Sequence, residues 1–382
     1  MKNVLVYPCG TDEGLELNKS LGQMIHYRLY GVSDTNGDRG EHVYLNHEGV
    51  LNLDEAHFVD ELTEIVERLQ IDFIYPANSE ARLILSKYGL IQQAEVVACS
   101  HEACLVCDSA ENISDFFNKD LLVQDSSSLQ KLEESQFEIY SVVCFTDRQG
   151  DIKFTKILEN TEYVLREPNI SILALDHVRG IAKKINNKIQ LRGPWSFEIA
   201  MMKSQDTALI GITPGFSAQM GFYRNKGVNL ATLSLFDRLG HDIEIREREL
   251  QIKAVKVQTS LYHIHYEYDD VYVDLDDTIL VNNLVNPLII AFIYQCRNKG
   301  KNVHLITKHR HELSETLEKF KITTLFDTII WLKSFDQKCL HMKSERAIFI
   351  DDAFSERKQV SERLGIPTFE VSAVESLMDW RL

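Results

Sequence analysis

Residues Val271–Leu280 read VYVDLDDTIL, an apolar run that passes directly into three aspartates. Short β-branched and aromatic runs of this kind form strands buried on both faces of a parallel sheet. The carboxylates cannot be buried with the strand unless they are paired, so they belong at its C-terminal tip. In open α/β sheets that tip is where ligands bind. Alternation along an extended chain points Asp274 and Asp276 to one side. Two carboxylates so placed can divide the labour of phosphoryl chemistry, one attacking phosphorus and one carrying the leaving group's proton.

Three further pieces follow in order. Leu305-Ile306-Thr307 ends a strand with a hydroxyl suited to a phosphoryl oxygen. Lys338 precedes the last apolar strand, and Ala347–Ile350 delivers Asp351-Asp352, hard oxygen ligands that suit Mg²⁺. A phosphoryl group among carboxylates is repelled unless a cation bridges them, so Mg²⁺ dependence is expected. This set, over about 268–382, resembles the haloacid-dehalogenase (HAD) superfamily. The resemblance implies a Rossmannoid parallel sheet, with Asp274 as a nucleophile that forms an aspartyl-phosphate and Asp276 as general acid/base. It implies Thr307 and Lys338 on the phosphoryl group, and Asp274, Asp276, Asp351 and Asp352 at the metal. Lys333 and Lys343 compete with Lys338 for its role. About thirty residues separate Asp276 from Thr307, and Thr307 from Lys338, which leaves no space for a cap domain.

Upstream, strands and helices alternate. Asn3–Tyr7 is a strand broken by Pro8-Cys9-Gly10. Leu15 to Tyr30 has helical spacing, Tyr30–Val32 is a second strand, and His57–Leu69 is an amphipathic helix. Ile71–Pro76 is a further strand and Glu80–Tyr88 a further helix. From residue 96 the pattern loosens. Val96–Cys99 reads as a strand, His101–Cys107 as a helix, and Glu138–Thr146 and Ile152–Ile157 as a hairpin around Asp147-Arg148-Gln149-Gly150. Trp195–Ala200 and Ala208–Ile212 are strands, and Asn229 to Leu239 is a helix stopped by Gly240.

The segments VYPCGTDEGLELNKSL, IDFIYPANSEARL, VVACSHEACLVCDS, EIYSVVCFTDRQGDI and TALIGITPGFSAQMGFYRNKGVNLATLSLFDRLG resemble, in that order, ATP-grasp proteins of the carbamoyl-phosphate-synthase-like type. The implied domains are a preATP-grasp-like 1–95, a shortened ATP-grasp-like 96–250 and a capless HAD-like 268–382. The fold class expected is therefore α/β, with an α+β grasp region and a final parallel sheet. The resemblance also implies a glycine-rich phosphate loop, which is missing between Phe117 and Glu138. Gly211 and Thr213 stand where Glu and Asn would ligate Mg²⁺, which leaves Glu198 alone. This half is expected to be a degenerate scaffold that binds substrate, covers the site or mediates assembly as a homo-oligomer.

Asp+Glu number 57 against 41 Lys+Arg, a net charge of −16, which disfavours nucleic acid as partner. The longest apolar stretch, Pro287 to Tyr294, is far short of the ~20 residues that span a bilayer. MKNVLVYPCG reads as a strand rather than a cleavable leader. Seven cysteines without a framework suggest reduced thiols and a cytoplasmic setting. Cys99, His101, Cys104 and Cys107 are either core residues or a zinc cluster. His263, His265 and Glu267 fall on one face of an alternating strand, and Lys308, His309, Arg310 and His311 form a basic loop beside Thr307. The function expected is a Mg²⁺-dependent phosphohydrolase for a small phosphorylated substrate, such as a sugar phosphate. The alternatives are an ATP-dependent carboxylate–amine ligase with an accessory phosphatase, and a non-catalytic binding or assembly protein.

Overall fold

A computed structural model of the chain describes all residues except 55–56, 118–121, 124–136, 162–163, 203–206, 258, 344 and 382. The chain divides into two compact units, Met1–Gln258 with Arg381–Leu382, and Thr259–Trp380.

The first unit holds two six-stranded sheets. The first comprises β1 (Lys2–Tyr7), β2 (Tyr27–Ser33), β3 (His47–Val50), β4 (Phe73–Pro76), β5 (Leu90–Ile91) and β6 (Ala94–Val96), in the order β3-β2-β1-β4-β6-β5. Its pairings are parallel except β5 with β6. Helical spacing from Leu15 to Tyr30 overran the element: the helix is Asp12–Leu21, capped by Thr11 and closed at Gly22, and β2 begins at Tyr27. The apolar residues Tyr27 and Leu29 go to the sheet's core instead of extending the helix. The Phe58–Leu69 helix buries Phe58, Leu62 and Val66 at i, i+4 and i+8.

The second sheet comprises β7 (Phe137–Thr146), β8 (Ile152–Asn160), β9 (Val164–Arg166), β10 (Gly193–Met202), β11 (Thr207–Thr213) and β12 (Lys253–Val255), in the order β11-β10-β7-β8-β9-β12. All its neighbours are antiparallel. In the β7–β8 turn, Asp147 Oδ1 accepts from the Gln149 and Asp151 amides at 3.0 and 2.9 Å, and Gly150 takes φ +88°. Trp195 is fully buried and donates to Thr146 Oγ1 at 2.9 Å. The helix Ile172–Ile189 packs Val178, Ile181, Ala182, Ile185 and Ile189 on this sheet and was not foreseen.

The second unit is a parallel sheet of β13 (Asp270–Val273), β16 (Asn302–Thr307), β17 (Thr328–Trp331), β18 (Ala347–Ile350) and β19 (Thr368–Phe369), ordered β17-β16-β13-β18-β19. Both faces are buried: Val271, Val273, Ile348 and Ile350 join one core, and Tyr272, Ala347 and Phe349 the other. After β13 comes only a hairpin of β14 (Leu280–Val281) and β15 (Leu284–Val285), then the helix Pro287–Asn298. The hairpin turn has φ +51° at Asn282 and +59° at Asn283, the left-handed pair that a tight I′ turn needs. His263, His265 and Glu267 do not lie on a strand: among the described residues, 261–268 belong to no sheet.

The Pro287–Asn298 helix starts as its sequence dictates. Asn286 Oδ1 accepts from the Leu288 amide at 3.1 Å, and Pro287 fills the first turn, where its missing N–H costs nothing. Asn286→Ala is expected to destabilise the second unit by about 1 kcal/mol, and Asn286→Gly by only a few tenths. Urea unfolding followed by circular dichroism measures both; equal costs for the two variants would refute the capping account.

Candidate functional site

β13 and β18 are neighbours in register, Val273 opposite Ile350, so Asp274 and Asp351 leave adjacent strands at the same edge of the sheet. The Asp274 amide donates to Ile350 O at 3.0 Å and the Asp351 amide to Phe369 O at 3.1 Å, which fixes both turns. Lys338 enters from a short 3-10 turn, Lys338–His341, and is buried. Its Nζ lies 2.5 Å from Asp274 Oδ1 and 2.5 Å from Asp351 Oδ2.

The charges do not balance: two buried carboxylates face one ammonium, and exposed Asp352 adds a third carboxylate. Burial pushes the Asp274 carboxyl up to about 7, with Lys338 opposing and Asp351 reinforcing the shift. Burial also raises Asp351, against Lys338. For Lys338 burial works downward, but the two carboxylates outweigh it and hold the ammonium above its ordinary range. Ligand oxygens of Asp274, Asp351 and Asp352 lie within 4.8 Å of one another. One Asp351 oxygen also accepts from the Ala353 amide at 2.8 Å. A second positive charge fits here, and an all-oxygen set suits a hard divalent cation such as Mg²⁺.

Thr307 ends β16, fully buried, with its Oγ1 accepting from the His309 amide at 3.2 Å. The structure thus gathers Asp274, Thr307, Lys338, Asp351 and Asp352 around one cavity of about 840 Å³. Asp276 lines it too, but its two oxygens are each 2.9 Å from His309 Nδ1, and His309 Nε2 is 2.9 Å from Thr316 Oγ1. Lys343 instead reaches Asp270 at 3.0 and 3.2 Å, at the opposite end of β13, beside His304 at 2.8 Å. Lys333 Nζ lies over the Phe335 ring.

Sequence reasoning missed Arg357, whose Nη1 donates to the carbonyls of Asp351 and Asp352 at 2.7 and 2.6 Å. It also missed Thr278, which accepts from the Asp352 amide at 3.1 Å. Arg357 sits six residues past Asp351, on the helix Phe354–Leu364, and that position was the available signal. Of the basic loop, Lys308 pairs with Glu356 at 2.5 Å, while Arg310 and His311 rim the cavity.

In the first unit, Glu198 on β10 faces Gly211 on β11, and Ser196 faces Thr213, so no second carboxylate stands across from it. Cys99, Cys104 and Cys107 pack in an apolar core, and His101 Nδ1 contacts Ser86 Oγ at 3.0 Å. The missing phosphate loop between Phe117 and Glu138 falls mostly outside the described residues.

No family model matches the sequence, and none of the curated proteins matches it. Among solved structures, N5-carboxyaminoimidazole ribonucleotide synthetase from Thermotoga maritima matches with a TM-score of 0.51 at 13% identity, over 70% of this chain and 83% of that one. Biotin carboxylase from Campylobacter jejuni matches at 0.49 and 11%, over 64% and 72%, and the synthetase from Staphylococcus aureus at 0.49 and 10%, over 64% and 78%. The first of these likenesses supports an ATP-grasp-like fold within a mixed α/β chain.

The expectation of a HAD-superfamily phosphatase, a hydrolase, is corrected by this finding, because the structure matched at a TM-score of 0.51 is named a synthetase. The physical reason lies in what the site specifies. Carboxylates and a lysine at strand tips hold a cation and an anion, and that requirement is common to hydrolysis and ligation. The group expected to handle the proton, Asp276, is engaged by His309.

A pH test follows from Asp274. Its folded value, about 7, exceeds the ordinary 3.8, so the protonated acid favours the folded state. That contribution is full below the ordinary value and is lost as pH rises through about 7. In metal-free buffer the melting temperature is expected to fall between pH 5 and pH 8, and Asp274→Asn to flatten the fall. A variant that keeps the wild-type slope would refute the assignment.

Proposed function

We propose that the chain uses Mg²⁺ to hold a phosphate-bearing small molecule at the β13–β18 edge of its second unit. The observation that carries this reading is buried Lys338 between Asp274 and Asp351, with Asp352 beside them. Asp274, Asp351 and Asp352 would hold the cation, which when bound supplies the positive charge that lets an anion approach three carboxylates. Lys338 and Thr307 would meet the phosphate oxygens, and Arg310 and His311 at the rim would favour an anion's entry.

The chemistry this site serves is proposed to be ATP-dependent joining of a carboxylate to an amine. That part rests on the ATP-grasp-like fold, and on the relative at TM-score 0.51 being named a ribonucleotide synthetase, a maker of a phosphate-bearing small molecule. Glu198 is the carboxylate on β10 available to the nucleotide's metal. The preATP-grasp-like 1–95 and grasp-like 96–250 remain the proposed division of the first unit.

Two measurements separate the parts. Mg²⁺ is expected to raise the melting temperature of the wild type and not of Asp351→Asn, with ribose 5-phosphate adding a further rise only when Mg²⁺ is present. No Mg²⁺ response in the wild type would sink the site. Titration calorimetry with ATP and Mg²⁺ is expected to show binding that weakens at least tenfold in Glu198→Gln. Undetectable ATP binding at millimolar concentration would leave the second-unit site standing and end the ligase reading.

A further inference from the structure

A separate cluster lies in the first unit, at the edge where β1, β2 and β3 run side by side. Cys9 follows β1, Ser33 ends β2, Asp38 caps the helix Arg39–Val43, and His47 opens β3. Ser33 Oγ is the hub: it is 2.7 Å from Asp38 Oδ1, 2.8 Å from His47 Nε2 and 3.5 Å from Cys9 Sγ. Ligand atoms of Cys9, Asp38 and His47 all lie within 4.8 Å of one another.

The two oxygens of Asp38 are used unequally. Oδ1 accepts from Ser33 Oγ and from the Gly40 and Glu41 amides, the last two as the helix cap. Oδ2 is buried with no hydrogen-bond partner. Arg39 is turned elsewhere, to Gly10 O at 3.0 Å and Asp12 at 2.8 Å, and no Lys or Arg pairs with Asp38 among the described residues. A buried carboxylate oxygen left unpaired keeps its full desolvation cost. The Gly10 backbone closes on it, so that a Cβ there would come within 2.2 Å of Oδ2. The backbone also closes on the thiol: a Cβ on Gly40 would fall 2.2 Å from Cys9 Sγ. The loops are therefore packed onto these atoms at the closest approach that glycine allows.

We propose that Cys9, Asp38 and His47 form a zinc site, with Cys9 Sγ, Asp38 Oδ2 and His47 Nε2 as ligands. Sulfur, imidazole nitrogen and a single carboxylate oxygen make a borderline-soft set that suits Zn²⁺ and does not suit Mg²⁺ or Ca²⁺, which take all-oxygen sets. Bonds of about 2.0–2.3 Å bridge ligand atoms at this spacing after small side-chain rotations. Three protein ligands leave a fourth position, filled by water or by an oxygen of a small ligand, as in zinc sites that act on substrates rather than staple folds. The Ser33 hydroxyl occupies the hub in the metal's absence and is placed to hydrogen-bond the ligands when the metal is there. Cys9 is fully buried while Asp38 and His47 are half-buried, so the opening lies on the side of the last two. Cys9 and Ser33 lie at the C-terminal ends of the parallel strands β1 and β2, where ligands bind in open sheets, and His47 joins them from the start of β3.

The test uses the full chain. After incubation with Zn²⁺ and dialysis against metal-free buffer, one zinc per chain is expected by elemental analysis. Cys9→Ser and His47→Gln should each lose it, while Asp274→Asn, which alters only the second-unit site, should keep it. Co²⁺ substitution of the unaltered protein should give a thiolate-to-cobalt charge-transfer band that Cys9→Ser lacks, a readout that needs no variant to establish sulfur ligation. A wild type that retains no zinc, or a cobalt form without that band, or a band that survives Cys9→Ser, would overturn the proposal.

Discussion

The second unit is organised around an ammonium buried between two carboxylates. Lys338 can be buried only because Asp274 and Asp351 stand 2.5 Å from it, and they stand there only because β13 and β18 are adjacent, parallel and in register. Removing an isolated charge from water costs several kcal/mol, and a partner in the interior repays it only with good geometry. Here the geometry is supplied by the sheet, and the repayment is incomplete because acids outnumber bases. Burial raises the Asp274 carboxyl to about 7, with Lys338 opposing and Asp351 reinforcing the shift. The parallel topology, the buried strands and the buried ion pairs are thus one constraint seen at three scales.

The same constraint limits what residues alone can say about chemistry. Phosphate, whether hydrolysed, transferred or merely held, needs a cation and hydroxyl or ammonium donors, and this edge gathers carboxylates, the Thr307 hydroxyl and the Lys338 ammonium. The direction of the reaction depends on which group handles the proton and on what second substrate is brought up. Asp276 illustrates the point. The resemblance implies it as the general acid/base, while in the fold its carboxylate faces His309 and is half exposed. The step from a resemblance over the last 115 or so residues to a hydrolase was therefore the step that failed.

Local signals were legible where one interaction decides the outcome. The helix expected from Asn229 to Leu239 is Leu230–Arg238, with Asn229 as its cap, and the Gly240 expected to stop it takes φ +84°. The apolar runs of β13, β16 and β18 became strands because two-sided burial leaves them no other use. Signals failed where tertiary context overrides pattern. The helix Ile172–Ile189 has its apolar stripe, but Gly180 and the Asn186-Asn187 pair interrupt its local preference, and only packing on the second sheet sustains it. His263, His265 and Glu267 alternate well, yet a strand without a neighbour does not form. The choice of Lys338 over Lys333 and Lys343 could not be read from spacing, because it depends on which loop folds back over β13 and β18.

The two groups of the described residues that could hold a metal arise from one topological fact and differ by ligand hardness. Parallel strands end together, so residues just past neighbouring strands converge whatever their types. Past β13 and β18 the types are carboxylates and the compensating charge is in part a lysine, which leaves a hard site suited to Mg²⁺. Past β1 and β2 they are a thiol, a hydroxyl and, from the turn that follows, a carboxylate, joined by the imidazole at the head of β3. No lysine enters that set, and one carboxylate oxygen is left without a partner. Where the chain supplies its own cation, a metal would have to compete with an internal ion pair. Where it supplies none, the same convergence leaves the unpaired oxygen for a metal to satisfy, and a soft ligand set then decides which metal.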